Sequence, residues 1–521
     1  MSAHFACLPM TTPFVITTPI YYVNGAPHIG SAYTTMVADA AARYHRLKRD
    51  PVLMVTGTDE HGQKIERTAQ ERGIPPQQHC DELSGEFQRL WSLLGIQNDR
   101  FIRTTDPRHQ AIVKDFFQRV WDQGDITTGR QQGWYCVSCE EFKDEKDLTE
   151  DGFCQIHTNK KAEWKDEENY FFRLSHYQEK LEQLYAEQPL FIQPESRRNE
   201  VLNFVKQGLR DFSISRPQVA WGIPFPTDPS QTIYVWFDAL INYLSAALEP
   251  DQDPTLENAL QKWWPATVHL VGKDIVRFHA IYWPAMLMSA GLPLPKQVLG
   301  HGFLTQNGQK MGKSLGNTLD PFALVEQYGS DAVRYYFLKE IELGRDGDFG
   351  EERFKNVVNA DLANDLGNLL NRTLTMLRKY GDYKIPDVQI PPDHTLRSLA
   401  ATLTPAITAA YDKIALSSAA TQALSLVQTS NKFLDEQAPW TLHKKGEHEQ
   451  VQGILYAVLE SVRLTAVWLA PLVPDLSGRI LSQLGFEDLD LALPWDPMAS
   501  WGGLPAGQIP QSPSPVFQKL L

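Results

Sequence analysis

The apolar runs Phe14–Thr18 and Pro51–Gly57 each lead into a helix-patterned segment, Ser31–Arg46 after the first and Gln63–Arg72 after the second. Alternation of buried strands with helices predicts a parallel, doubly wound sheet with helices packed on its faces. Ligands of such sheets lie beyond the carboxyl ends of the strands. Two polar stretches fall there: Tyr21, Tyr22 and Asn24 after the first strand, and Asp59, Glu60 and His61 after the second.

His28-Ile29-Gly30-Ser31 occupies the first of these strand-to-helix turns. A helix start offers backbone N–H groups and a positive dipole end to an anion. An imidazole beside a close-approach glycine suits a nucleotide phosphate there. Far downstream, Lys310-Met311-Gly312-Lys313-Ser314 reads as a short basic loop able to close on the same phosphates. Each motif alone has an ordinary account, a chance turn or a solvated loop. In this order and context they describe two elements that stabilise phosphate charge developing during a reaction.

Past about residue 115 the texture changes. Charged residues become dense, and Cys136-x2-Cys139 is followed, 14 residues on, by Cys154-x2-His157. Paired x2 spacing lets two ligands of each knuckle point at one ion, and a short hairpin between the halves closes a tetrahedron. Four protein ligands leave no open position, so the spacing predicts one structural Zn²⁺. The two remaining cysteines, Cys7 and Cys80, are too few for a disulfide scaffold. The Pro-rich stretch Arg216 to Pro229 suggests the return from an insertion. The sheet is expected to resume with Thr232–Val235, Thr267–Val271 and Gln297–Gly300.

The motif pair resembles the two signatures of class I aminoacyl-tRNA synthetases, His-Ile-Gly-His and Lys-Met-Ser-Lys-Ser. Four further stretches narrow the resemblance to methionyl-tRNA synthetases: Thr18 to Gly25, Gly57 to Gly62, Tyr234 to Ala239 and Gly272 to Ile275. It runs from about residue 14 to about residue 500. Ser31 departs from the second histidine of the first signature, and Gly312 from the first serine of the second.

The resemblance implies an α/β fold: a split Rossmann-type parallel-sheet catalytic domain with a zinc-bearing insertion, followed by an all-α helical anticodon-binding domain. The expected divisions are residues 1–115 and 226–300 for the two catalytic halves and 116–225 for the insertion. Residues 301–360 would hold the Lys310–Ser314 loop and a stem-contact segment, and 361–521 the helical domain with a C-terminal tail. The implied chemistry joins L-methionine to ATP as methionyl-adenylate, then passes the methionyl group to tRNA(Met), initiator tRNA included.

In that reading His28, Lys310 and Lys313 are catalytic, and His28, Gly30, Ser31, Lys310, Lys313 and Ser314 hold ATP with Mg²⁺. The methionine carboxylate is itself the nucleophile, so catalysis is positioning and electrostatics. The resemblance nominates Tyr22, Asp59, Trp236, Ala239, Leu240, Tyr243, Ile275 and His279 for methionine. Asp59 would face the ammonium, and aromatics would enclose the polarizable thioether. Trp236, Ala239, Leu240 and Tyr243 stand at i, i+3, i+4 and i+7, one face of a helix. Spacing alone reads that stripe as a packed core.

From about Asp361 to Glu487 Leu, Ala and Val recur at helical spacing. Asn364, Asn368 and Arg372 share a face there, and Pro439-Trp440 ends another helical pattern. The resemblance assigns these five to the CAU anticodon; without it they read as a buried amide network and a core tryptophan. Pro494 to Pro515, rich in Pro, Gly and Ser, is expected to lie over the surface or be disordered.

A net charge of −14 argues against non-specific nucleic-acid binding but leaves room for a shaped RNA partner. No apolar run approaches the roughly 18 residues of a membrane span, and no secretory signal is visible. A cytoplasmic monomer with no membrane partner is expected. Two other readings stay open: a class I synthetase for leucine, valine or cysteine, and a non-enzymatic zinc-bearing RNA-binding protein. The insertion, about 110 residues, is short for an editing domain.

Overall fold

The computed structural model describes residues 13–137, 141–155, 161–217, 219–311, 318–486 and 494–521. The opening strand β1 (Phe14–Tyr22) runs into helix α1 (Ile29–Leu47), which returns to strand β2 (Val52–Asp59). Strand β3 (Arg100–Arg103) follows after two helices. Side chains alternate across the sheet with period 2. Phe14, Ile16 and Met54 pack into one core, and Val15, Leu53 and Val55 into the other.

All six strands of the main sheet pair in parallel. Their order is β3, β2, β1, Thr267–Gly272, Gln297–His301 and Ile192–Gln193. Chain order therefore reverses between β1 and Thr267–Gly272, which makes a switch point there. At Thr18-Pro19 the ladder of β1 slips, because proline has no amide hydrogen, and pairing resumes with Ile20 opposite Gly57 and ends with Tyr22 opposite Asp59. Gly57 lies where β2 meets β3 most closely: a Cβ on it would sit 2.1 Å from the Ile102 carbonyl oxygen.

α1 is buried along nearly its whole length. Ala32, Ala38, Ala40, Ala41 and Ala42 let it lie close to its neighbours. Near its far end Tyr44 stacks on Tyr411, ring centroids 4.8 Å apart, and donates to Asp412. The core beneath α1 thus continues without a break into the helices of residues 351–483.

A four-stranded antiparallel sheet forms the insertion, ordered Glu141–Lys143, Ile126–Cys136, Glu163–Phe172 and Phe212–Ser213. One expectation fails. Thr232–Ile233 does not join the main sheet; it pairs antiparallel with Ser215–Arg216, and Val235 already starts a helix. Arg216 explains the ribbon: its buried guanidinium lies over the Tyr234 ring at 4.1 Å and ties the return path to this corner. The C-terminal stretch is ordered in its described residues. Trp495 and Leu504 are buried, and Arg479, Gln483 and Asn359 bond the backbone of Val516, Ser514 and Leu520.

Among the described residues, no helix is long and apolar enough to cross a membrane.

Candidate active site

A cavity of about 550 Å³ opens at the switch point, beyond the carboxyl ends of β1, β2 and Thr267–Gly272. Seven of the eight residues nominated for methionine line it: Tyr22, Asp59, Trp236, Ala239, Tyr243, Ile275 and His279. Leu240 does not. The helix carrying these residues breaks at Ile241 into Val235–Leu240 and Asn242–Ala247, and Leu240 turns into the core.

Trp236 forms a flat wall by stacking on Phe278, with centroids 3.7 Å apart and planes 5° from parallel. His279 Nδ1 lies 3.0 Å from the Ile275 carbonyl, which can only accept, so Nδ1 carries the proton. Nε2 then accepts from the Tyr243 hydroxyl at 2.6 Å. Burial pushes the His279 pKa down to about 4, and the ring is neutral at neutral pH. The tyrosine is thereby fixed as a donor to the histidine and holds its ring against the cavity.

Asp59, Glu60 and His61 are consecutive and serve three different places. Asp59 faces the cavity at the end of β2. Glu60 turns away and accepts from Arg103 Nε at 2.7 Å and Nη2 at 3.0 Å, binding β3 to β2. His61 Nδ1 donates to Asp238 at 2.7 Å, and His109 Nε2 donates to the other oxygen of Asp238 at 2.7 Å. All three are buried. The two imidazoles hold the Asp238 pKa down to about 2 against the opposing effect of burial. This triad clasps the two halves of the catalytic unit. Sequence reading passed over it, although His61 and Asp238 stand inside the stretches that carried the resemblance.

At the turn before α1 the side chains of His28 and Ser31 have local backbone partners. His28 is the N-cap of α1 in extended conformation, and its Nδ1 accepts from the N–H groups of Gly30 at 3.1 Å and Ser31 at 3.3 Å. Those N–H groups are therefore occupied by the imidazole. Since Nδ1 accepts twice, the proton of the neutral ring sits on Nε2. The ring folds over Gly30, where a Cβ would come within 3.0 Å of it. Glycine is needed here for the histidine itself. Ser31 is buried; its hydroxyl donates to the His28 carbonyl at 2.7 Å and accepts from the His28 N–H at 3.1 Å, a capping box. Its side chain is aimed at the backbone of His28.

Thr34, one turn on, lies 2.8 Å from His301 Nε2, which ties α1 to the strand preceding the basic loop. The backbone of Lys310 pairs with Thr305. Gly312, Lys313 and Ser314 lie outside the described residues.

Glu141 and Lys143 reach the same cavity from the insertion, joined by an ion pair at 2.5 Å. Sequence reading missed both, since nothing in a charge-dense stretch marks which charges turn inward. Their strand pairs with the one ending at Cys136, which faces Glu141. Cys136 and Cys154 are buried, and Cys154 bridges to Leu148. Cys139 and His157 lie outside the described residues, and among the described residues no group of three metal-binding side chains forms.

In the helical part Asn364 and Asn368 are exposed, Arg372 is half-buried and pairs with Asp435 at 2.7 Å, and Trp440 is 36% exposed over a buried Pro439. Asn364 falls within a π-helical stretch, Asn359–Gly367. The buried amide network and core tryptophan are not what forms.

A family model described as tRNA synthetases class I (M) matches residues 14–151 and 143–374, and one described as the anticodon binding domain of methionyl tRNA ligase matches 391–521. Methionine–tRNA ligase of Thermosynechococcus vestitus is 61% identical over 520 residues, covering 98% of each chain. The Bacillus subtilis protein of that name is 44% identical over 97% of this chain and 78% of its own. Mycobacterium tuberculosis methionyl-tRNA synthetase in complex with methionyl-adenylate superposes with a TM-score of 0.92 at 40% identity, covering 97% of this chain and 100% of that one.

Proposed function

The chain belongs to the methionyl-tRNA synthetases of class I, and from that premise we propose the roles of its own residues in the reaction. The enzyme activates L-methionine with ATP to methionyl-adenylate and pyrophosphate, then transfers the methionyl group to tRNA(Met). The observation that carries the assignment of the site is the aromatic cavity at the switch point with the Asp59 carboxylate at the end of β2.

Methionine sits with its thioether among Trp236, Tyr243, Ile275 and His279, and its ammonium near Asp59. Tyr22, opposite Asp59 in the ladder, closes the sheet side. A neutral His279 suits an apolar side chain, since a buried imidazolium would demand an anion. Its carboxylate attacks the α-phosphate of ATP. His28 donates from Nε2 to the phosphates, and Gly30 admits the ring to that position. Lys310 and Lys313 would neutralise the leaving pyrophosphate with Ser314 beside them, and Mg²⁺ supplies further charge neutralisation when bound to ATP. Ser31 acts through His28 by fixing the cap.

We assign one structural Zn²⁺ to Cys136, Cys139, Cys154 and His157. Three thiolates and an imidazole fit that ion, and the burial of Cys136 and Cys154 supports it. The ion would brace the hairpin that carries Glu141 and Lys143 to the cavity. Asn364, Asn368, Arg372, Pro439 and Trp440 meet the anticodon of tRNA(Met), initiator tRNA included; exposure of an aromatic and two amides supports a surface that reads unpaired bases. A monomer is favoured because the exposed large apolar side chains among the described residues are scattered. Charging serves translation, and on that ground the enzyme acts in the cytoplasm.

Amino-acid-dependent ATP–pyrophosphate exchange tests the whole reading. Methionine should drive it far better than leucine or cysteine; an equal or stronger response to either would overturn the assignment of the cavity.

A further inference from the structure

Trp440 and His443 stand three positions apart on the helix Pro439–Lys444 and so share one side of it. His443 is stacked on Tyr380, the last residue of the helix Asn368–Tyr380, with ring centroids 4.4 Å apart and planes 28° from parallel. His448 meets His443 edge-on at 5.1 Å, and Lys379 Nζ lies 5.5 Å from the centre of the Tyr380 ring. Tyr380 and His443 are half-buried, while Arg378, Lys379, Lys444 and Lys445 around them are exposed.

A stack that serves packing alone is usually roofed by apolar side chains. This one sits at an outer corner among cations, in a chain whose net charge is −14. Exposed rings flanked by Lys and Arg suit unpaired RNA, whose bases stack and whose phosphates need cations. His443 Nδ1 is enclosed and has no hydrogen-bond partner among the described residues. An enclosed N–H without an acceptor would be costly, which favours the tautomer with its N–H on Nε2, as a donor. The pair offers a flat face and an N–H group together.

Position along the helix decides which nucleotide fits. Tyr380 lies eight residues beyond Arg372, about 12 Å at the α-helical rise. A base held at Arg372 cannot also rest on Tyr380. We propose that Tyr380 and His443 form a second stacking element beside Trp440, which takes an unpaired nucleotide of the anticodon loop outside the triplet. This rests on the reading of the Trp440 surface as the anticodon contact.

The test uses the full enzyme and tRNA(Met) transcripts. Tyr380→Leu and His443→Ala should each lower kcat/KM for charging about tenfold, the scale of one lost base stack, with pyrophosphate exchange unchanged. His443→Phe, which keeps the flat face, should recover most of that loss. Transcripts made abasic at single loop positions outside the triplet should then identify the nucleotide: at one position the wild type loses the same factor and the variants lose nothing more. Additive losses at every position would overturn the proposal. So would equal falls in charging and exchange with a lowered Tm, which mark a packing pair. Trp440→Ala separates the two levels. If it leaves charging intact, the anticodon reading itself fails; if it lowers charging while Tyr380→Leu and His443→Ala do not, only the second element fails.

Discussion

His61 and Asp238, 177 positions apart in the chain, meet at 2.7 Å in the interior and join the first half of the catalytic unit to the second. The expected outcome of Asp238→Ala is a loss of about 3–5 kcal/mol, because two buried imidazoles lose their shared acceptor. Thermal or urea denaturation checks it. The folded-state pKa of Asp238, about 2, lies below its ordinary value of 3.8. Its contribution is therefore fully present above pH 4 and is lost as pH falls from about 4 towards 2.

His279 titrates with the opposite sense of departure for its type. Its pKa is about 4 in the folded protein against 6.5 ordinarily. The unfolded chain binds the proton first as pH falls, so stability declines between pH 6.5 and 4 by about 3 kcal/mol in all. His279→Asn should remove this part of the slope. A comparison of Tm against pH for the two proteins measures it; identical slopes would contradict the buried neutral ring.

The phosphate turn separates into cap and donor. His28→Ala loses both, and should cost about 2–4 kcal/mol in the adenylation barrier with a lower Tm. Asn caps helices well but has no imidazole, so His28→Asn should restore Tm while adenylation stays slow. Ser31→Ala should cost about 1 kcal/mol of stability and little activity. Single-turnover adenylate formation, paired with Tm, resolves the three.

Zinc content is checked by elemental analysis of the purified protein, with about one ion per chain expected. Cys154→Ser should lose the metal and, through the hairpin bearing Lys143, raise the KM for methionine. A fully active metal-free protein would contradict the assignment.

Trp440→Ala should lower charging of tRNA(Met) by about 1–3 kcal/mol and leave exchange and Tm nearly unchanged, since the side chain is 36% exposed. Aminoacylation and exchange measured on one preparation check this.

What the sequence made legible was whatever depends on local pattern. The parallel strands, the helix after each and the switch-point location follow from apolar runs and turns, whereas the seven cavity residues came from the family resemblance, since spacing alone read their stripe as a packed core. Relations set by tertiary packing were not legible. Leu240 shares its stripe with Trp236 and Tyr243 but packs into the core, and spacing does not reveal which members of a stripe border a cavity. Thr232–Ile233 looks like a sheet strand, yet Arg216 beneath Tyr234 holds it in a ribbon elsewhere. The hydroxyl of Ser31 closes the cap on His28, and its place in the motif says nothing of where that hydroxyl points.

α1 carries the His28 cap at one end and Tyr44, stacked on Tyr411, near the other. Its 19 residues make a rod about 28 Å long, buried nearly throughout and so unable to bend at little cost. A tilt imposed where the helical bundle grips Tyr44 must reappear as a displacement of the imidazole at the far end. The His28 imidazole is mounted on a lever whose handle belongs to the helical half of the molecule.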